Sequence, residues 1–432
     1  MNSEKIITVS IIGVGSRGGE AYGRYINELK DKYKIVALCD EREDRLYKYG
    51  QSFNVPNENR FSSDDEFFKE KRSDLLIVAT LDTDHVRTAK RALKVGYDIL
   101  LEKPISTDPQ ELKELKEEAD KAGRRVIVCH VLRYTVMIHK VKELLDAGKI
   151  GRLISMEDTE NVVFWHEAHS FVRGNWRNTE VAAPMIMAKC CHDLDLLQFF
   201  AKSKCKSVSS MGSLAYFKKE NQPEGAAERC TDCKYRDSCV YSAKRIYIEM
   251  WKNMGSPANI IPMNVVTEAN PITEEALEEA IKTGEYGRCA FCCDNNVVDN
   301  QAVLMRFENG VTAALKMEAF TADGGRDMRF YGTEGELEVR EKDDLIVLKR
   351  YFESPVEWKI SELKDENGGM GTGHHGGGDH RMIDRLYKVF SSDEKDEETA
   401  LDKSLESHYM AIAAEKSRLS GGKLVELCEY RK

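Results

Sequence analysis

Three groups of residues have types and spacings that could do chemistry. The first is Gly13-x-Gly15-x-x-Gly18, within SIIGVGSRGG, set directly after the β-rich run of Ile6, Ile7, Val9, Ile11 and Ile12. Small residues let a backbone approach a pyrophosphate, and the free N–H groups and dipole of a following helix receive its charge. Gly13, Gly15, Ser16, Arg17 and Gly18 are therefore candidate contacts of a dinucleotide. Asp40 ends the next apolar run, KIVALCD. A carboxylate there accepts hydrogen bonds from the adenosine ribose and repels a 2′-phosphate, which favours NAD over NADP.

The second group is the cysteines of ERCTDCKYRDSC and GRCAFCC. Cys230, Cys233 and Cys239 can converge on one ion with a fourth thiolate from Cys289, or from Cys292 or Cys293, giving the tetrahedral sulfur site that Zn²⁺ favours as a structural metal. A long loop with little apolar periodicity gains most from such a tie. An Fe–S cluster uses similar ligands, and unligated reduced thiols are the plain alternative. The third group is FWHEAHSFVRGNWRN, where His166, His169, Arg173, Trp176 and Arg177 offer aromatic faces and forked donors to a polyhydroxylated ligand. The same residues would equally suit a loop packed on a sheet.

These groups need elements to hold them. A chain of 432 residues exceeds one ordinary core and predicts two domains. Helical spacing in EAYGRYINELKDKY, the strand SDLLIVAT, a helix over 84–95, the strand YDILLEKPIS, a helix in DPQELKELKEEADKAG and the strand RVIVCHV continue a β–α alternation. Alternation of this kind predicts a parallel sheet covered on both faces, with ligands outside the carboxyl ends of the strands. Thr80, Asp82, His85, Glu102 and Lys103 fall at such ends and are further candidate cofactor contacts. After residue 131 the alternation stops, and QAVLMRFENGVTAALKMEA and MRFYGTEGELEVR read as hairpins, with Asn309-Gly310 a turn pair. The fold class is thus α/β: a Rossmann dinucleotide-binding domain over 1–130, then an α+β substrate and oligomerisation domain over 131–375 with a Cys-rich insertion at about 215–300. C-terminal helices over 376–432 are expected to pack back near the first domain.

A net charge of −10 without any basic block argues against a nucleic-acid partner. No apolar stretch approaches the ~20 residues of a membrane span, and MNSEKIITVS lacks the apolar core of a secretory signal, so the expected compartment is the cytoplasm. Twelve cysteines in that setting read as reduced thiols or metal ligands.

GVGSRGG, VAT followed by DTDH, EKPIS, RY and AGKIGRL occur in this order. In these motifs the chain resembles the Gfo/Idh/MocA oxidoreductases, the group of glucose–fructose oxidoreductase and inositol dehydrogenase. The resemblance covers almost the whole chain and is densest through residue 155. It implies a second domain built on an open, mostly antiparallel sheet, one face meeting the nicotinamide and the other packing in a homo-oligomer, dimer or tetramer. It implies that Lys103 of EKP contributes proton transfer or polarisation at the substrate, and that His192 of AKCCHDLDLLQFF is the catalytic histidine with Asp195 the acid after it. Ala188 stands where relatives often carry an Asp, and Lys189 beside it can supply a different polar contact. Tyr134, and His375 in the glycine-rich GGMGTGHHGGGDH, are further candidate substrate contacts.

The implied activity is hydride transfer between NAD and a ring carbinol of a small-molecule carbohydrate: a sugar, cyclitol or glycoside. Two alternatives stay open. One is a redox-neutral NAD-dependent glycoside hydrolase or lyase working through a transient keto-sugar, suggested by Ala188, Lys189 and the His and Arg residues around Trp176. The other is a non-catalytic NAD or sugar sensor, against which the presence of both Lys103 and His192 weighs.

Overall fold

Apolar runs buried along their whole length dictate the first sheet. In β1 (Ile7–Ile12) five of six residues are buried, and in β4 (Leu75–Val78) all four, as expected of strands covered on both faces. With β2 (Tyr33–Cys39), β3 (Arg60–Phe61), β5 (Asp98–Leu101) and β6 (Val126–Val128) they form a parallel sheet of order β3-β2-β1-β4-β5-β6. The order reverses between β1 and β4, and the carboxyl ends of those strands open a crevice for ligands. The computed structural model describes residues 5–180, 182–365, 374–391 and 398–431.

Local chemistry fixes the helix ends around this sheet. The helix His85–Val95 stops at Gly96, whose φ of 92° is left-handed. The helix Pro109–Ala122 starts where the Asp108 carboxylate accepts a hydrogen bond from the Gln110 N–H at 2.8 Å, with proline in the first turn where its missing N–H costs nothing.

The second sheet comprises β7 (Leu153–Asn161), β8 (Cys205–Ser213), β9 (Asn300–Phe307), β10 (Thr312–Glu318), β11 (Gly325–Gly332), β12 (Gly335–Arg340), β13 (Leu345–Arg350), β14 (Val356–Lys359) and β15 (Val425–Glu426), in the order β14-β13-β12-β11-β7-β10-β9-β8-β15. Only β10–β7 pairs parallel; every other pair is antiparallel. Asn309-Gly310 does turn β9 into β10, with Gly310 at a φ of 88°. Buried and exposed residues alternate along β9, β10 and β11, so one face enters a core while Met211 and Leu304, on the other, are 66% and 63% exposed.

The helices Cys191–Ala201 and Leu401–Leu419 cover the buried face. The two C-terminal helices do not share one location. Gly378–Ser391 drops Met382, Ile383, Leu386 and Val389 into the core beside β1, whereas Leu401–Leu419 packs on β8 and the helix Cys191–Ala201 while touching Pro109–Ala122 of the first domain. The insertion builds a separate apolar cluster around Phe217, Tyr241, Tyr247, Trp251, Leu277 and Phe291. Among the described residues no helix is long and apolar enough to cross a membrane.

Candidate active site

The glycine turn is shaped for close backbone approach. Gly13 has a φ of 85°, and a Cβ there would lie 2.3 Å from the Ala79 carbonyl oxygen; one on Gly18 would lie 2.1 Å from the Gly13 oxygen. Side chains are sterically excluded at both, while Gly15 meets only the mobile end of Arg45. A helical segment starts at Ser16, so its free N–H groups face the crevice. Asp40 buttresses the turn: its carboxylate accepts from the Val14 N–H at 2.8 Å and the Arg42 N–H at 2.9 Å. Arg42 itself pairs with Asp44 and with Glu268 of the insertion. This cradle fits a dinucleotide.

Arg17 has a different place from the one its motif position suggests. Its guanidinium turns inward to Glu102 at 2.7 Å and Asp379 at 2.5 Å, with the Tyr22 hydroxyl alongside. Burial favours the neutral form of Glu102, but Arg17 and Lys103 hold its carboxyl below the usual range. Glu102 also accepts from the Lys103 N–H at 3.0 Å. The role of Arg17 and Glu102 is thus to fix the strand end that carries Lys103, locking it to the glycine turn and the helix Gly378–Ser391. His85 adds a second tie, its ring nitrogens 2.6 Å from the Pro104 carbonyl oxygen and 3.1 Å from that of Thr80. Asp82 sits beside them half-buried, its carboxyl pushed up by burial against the pull of His85 and Lys103.

Lys103 reaches across the interdomain crevice, donating from Nζ to the Ala188 carbonyl at 3.2 Å. His192 lies four residues further on, at the start of the helix Cys191–Ala201, 5% exposed and with both ring nitrogens lacking a hydrogen-bond partner among the described residues. Burial first, then the charge of Lys103, depresses its pKa well below the usual value. A neutral imidazole with an open lone pair results, which is the form a proton acceptor needs. The His375 ring stands 6.0 Å from it, held by Asp379 at 2.9 Å. Burial opposes ionisation of Asp379, yet His375 and Arg17 keep it well below the usual carboxylate range.

Under this pair lies a buried polar floor. Glu160 forms ion pairs with Lys189 Nζ at 3.1 Å and with Arg326 at 2.6 Å, and Arg326 Nε donates to Asp193 at 2.6 Å. Asp193 is pushed up to about 6, mainly by burial, and Asp158 is raised further by burial and by Asp193. Neither Asp158 oxygen has a hydrogen-bond partner among the described residues. His166 lies close enough for Lys189 and Glu160 to act on it, with burial driving its pKa to about 3. Asp158, Glu160 and Arg326 were not singled out by sequence reasoning. A signal existed: acids at alternate positions of MEDTEN, on the same face of β7 as buried Met156.

Several predicted substrate contacts point elsewhere. Asp195 is clamped by Arg133 through bonds of 2.7 and 2.6 Å in a buried ion pair. The Tyr134 hydroxyl meets Thr399 at 2.8 Å and is 3% exposed. His169 stacks on Tyr286 at 4.7 Å, Arg173 donates to the Arg288 and Tyr241 carbonyls, and Arg177 pairs with Asp294 at 2.8 Å. These three serve the insertion, because their partners Tyr286, Arg288, Tyr241 and Asp294 all belong to it. Trp176 lies near Phe171 and is 42% exposed. The glycine-rich segment before His375 falls partly outside the described residues.

Cys230, Cys233, Cys239 and Cys289 gather in the insertion around one small cavity, with Cys292 and Cys293 adjacent. Among the described residues no three His, Cys, Asp or Glu side chains stand at coordination distance of a common point. The closed four-thiol shell expected from the spacing is therefore absent as the side chains stand.

Two sequence profiles of one family match: an oxidoreductase family NAD-binding Rossmann fold over residues 7–130, and an oxidoreductase family C-terminal alpha/beta domain over 142–351. YteT of Bacillus subtilis strain 168, which carries an oxidoreductase designation, is 24% identical over 403 residues, covering 87% of each chain. A glycosyl hydrolase family 109 protein of Solibacter usitatus is 25% identical over 285 residues, covering 60% of this chain and 64% of that one. The WlbA dehydrogenase of Bordetella pertussis, solved with NADH and UDP-GlcNAcA, superposes with a TM-score of 0.69 at 16% identity over 99% of both chains, a likeness of fold.

Proposed function

Because the chain belongs to the Gfo/Idh/MocA oxidoreductase family, we propose that it oxidises or reduces a ring carbinol of a sugar, cyclitol or glycoside with NAD(H), Lys103 and His192 being the catalytic residues. Bound in the glycine cradle, NAD supplies the hydride acceptor. Meanwhile the carbinol proton passes to the open nitrogen of His192, and the Lys103 ammonium polarises the same oxygen. What supports this reading is the convergence of those two side chains at one wall of the crevice, with His192 neutral and unpartnered. Ala188 offers its carbonyl where relatives often present a carboxylate, so Lys103 is oriented without being neutralised. Lys189, His166 and His375 are the substrate contacts we assign around it. The carbohydrate bound by WlbA and the glycosidase designation of the Solibacter relative are in keeping with this substrate class.

Asp40 underlies a preference for NAD(H) over NADP(H). Exposed Met211 and Leu304 on the outer sheet face support a homo-oligomer, and we place the protein in the cytoplasm. A second reading is favoured by one feature: the Lys189–Glu160 pair is an additional acid–base couple beside the crevice. In a redox-neutral cycle NAD would first accept a hydride to give the ketone, the pair would take the proton acidified beside it, and the aglycone would leave with a proton; water would then add to the enone in a hydrolase but not in a lyase, and the hydride would return to the ketone carbon. Incubation with a carbohydrate panel and NAD, alongside chromogenic glycosides of both anomers without added cofactor, separates the two. Stoichiometric NADH with intact glycosidic bonds supports the dehydrogenase. Aglycone release over many turnovers without NADH supports the redox-neutral cycle.

A further inference from the structure

The insertion holds a charge that nothing in the catalytic reading uses. Arg173 is fully buried, and among the described residues it has no carboxylate within ion-pair distance. Its Nε donates to the Arg288 carbonyl at 2.8 Å and its Nη2 to the Tyr241 carbonyl at 2.7 Å, with the Ala168 oxygen 3.5 Å from Nη1. Beside it stand the Tyr247 hydroxyl and a thiol, Nη2 lying 3.8 Å from Cys230 Sγ. Carbonyl dipoles satisfy its N–H groups, but a buried cation without an anion is strongly unfavourable. A thiol cluster is where that anion can be made.

Backbone pairing brings the cysteines together. Arg229 and Arg288 form an isolated antiparallel bridge, and the Cys289 N–H donates to the Glu228 carbonyl at 2.8 Å, which sets Cys230 and Cys289 side by side across 59 residues of chain. Cys230, Cys233, Cys239 and Cys289 then line one cavity of about 20 Å³, room for a single water-sized occupant. Cys292 is outside the lining of that cavity, its Sγ accepting from Lys219 Nζ at 3.3 Å.

We propose that this cavity is a structural zinc site, with Cys230, Cys233, Cys239 and Cys289 as ligands and Arg173 as the buried counter-charge. Four thiols release their protons to solvent on binding and rotate inward to close the shell around the ion. A tetrathiolate zinc centre carries net negative charge, so it balances the guanidinium that otherwise has no anion. The metal would tie the two halves of a segment that has only short helical pieces of its own.

Zinc content of the full-length protein after desalting, and spectra after replacement of zinc by cobalt(II), test the proposal. Stoichiometric zinc and the intense thiolate-to-cobalt absorption of a tetrahedral sulfur site are expected. Cys239→Ser should lose the stoichiometric metal and shift those bands, whereas Cys292→Ser should retain both. Should Cys239→Ser not fold, the cobalt spectrum and zinc-dependent protection of four thiols from alkylation in the unmodified protein decide the matter. Absence of zinc together with absence of thiolate–cobalt bands overturns the proposal, as does iron with acid-labile sulfide. Loss of metal from Cys292→Ser but not Cys239→Ser overturns the ligand set.

Discussion

Asp40 shows how one side chain can do two jobs. It caps the glycine turn by accepting from Val14 and Arg42 N–H groups and, in our reading, sets the preference for NAD. Asp40→Ser keeps a short acceptor but removes the charge, so the NAD-to-NADP affinity ratio by calorimetry should narrow by about tenfold, or ~1.4 kcal/mol. An unchanged ratio would place the selectivity elsewhere. The glycine turn was legible in the sequence because its steric demand is local, whereas the contact of Asp40 with the Val14 N–H, 26 residues away, was not. Arg173, Arg177 and His169 misled because their residue types say nothing of direction, and the Arg173 partner Arg288 lies 115 residues away. A forked donor that looks suited to a sugar is equally suited to carbonyls of a distant loop.

Elements, and not single residues, hold Lys103 in place. From one side Arg17 and Asp379 link its strand end to the helix Gly378–Ser391. On the other, His408 of the helix Leu401–Leu419 accepts from the Ile105 N–H at 2.8 Å through Nε2 and meets the Ser404 carbonyl through Nδ1 at 2.9 Å. Burial depresses the His408 pKa to about 3. Since the folded form stays neutral while the unfolded chain protonates near its ordinary value of ~6.5, unfolding takes up a proton as pH falls between these values. Stability from this group is therefore complete above the ordinary pKa and declines below it, by up to ~1.4 kcal/mol per pH unit. His408→Gln should flatten the acid side of the stability profile by about that slope in urea melts between pH ~5 and ~7. An identical slope would mean that His408 is not the group taking up the proton. Gly13→Ala tests the other support: a left-handed φ and a 2.3 Å clash with Ala79 predict a loss of about 2 kcal/mol or more in stability and loss of NAD binding. Nearly unchanged melting and binding would contradict the shape assigned to the turn.

Across the whole molecule, the β–α alternation announced the first sheet because each parallel strand is apolar on both faces. The second sheet was legible as hairpins, but its long-range order was not. No local pattern says that β7 enters between β10 and β11, or that Glu160 on it will meet Arg326 of β11 under the crevice. The C-terminal helices likewise carry no label of what they bind. They matter because the candidate site is assembled between domains: Lys103 comes from one, Ala188 and His192 from the other, and His375 from the segment that leads into the last helices.

That assembly makes Lys103 the side chain on which the functional reading turns. Lys103→Ala should be compared with the unmodified protein in two measurements on the same preparation: NAD binding by calorimetry, and turnover of the best substrate from the carbohydrate panel. NAD affinity within about threefold is expected, with turnover reduced by ~10² to 10³, the usual contribution of one donor aimed at the oxygen on which charge develops. Undiminished turnover by Lys103→Ala, with NAD still bound, would contradict that reading.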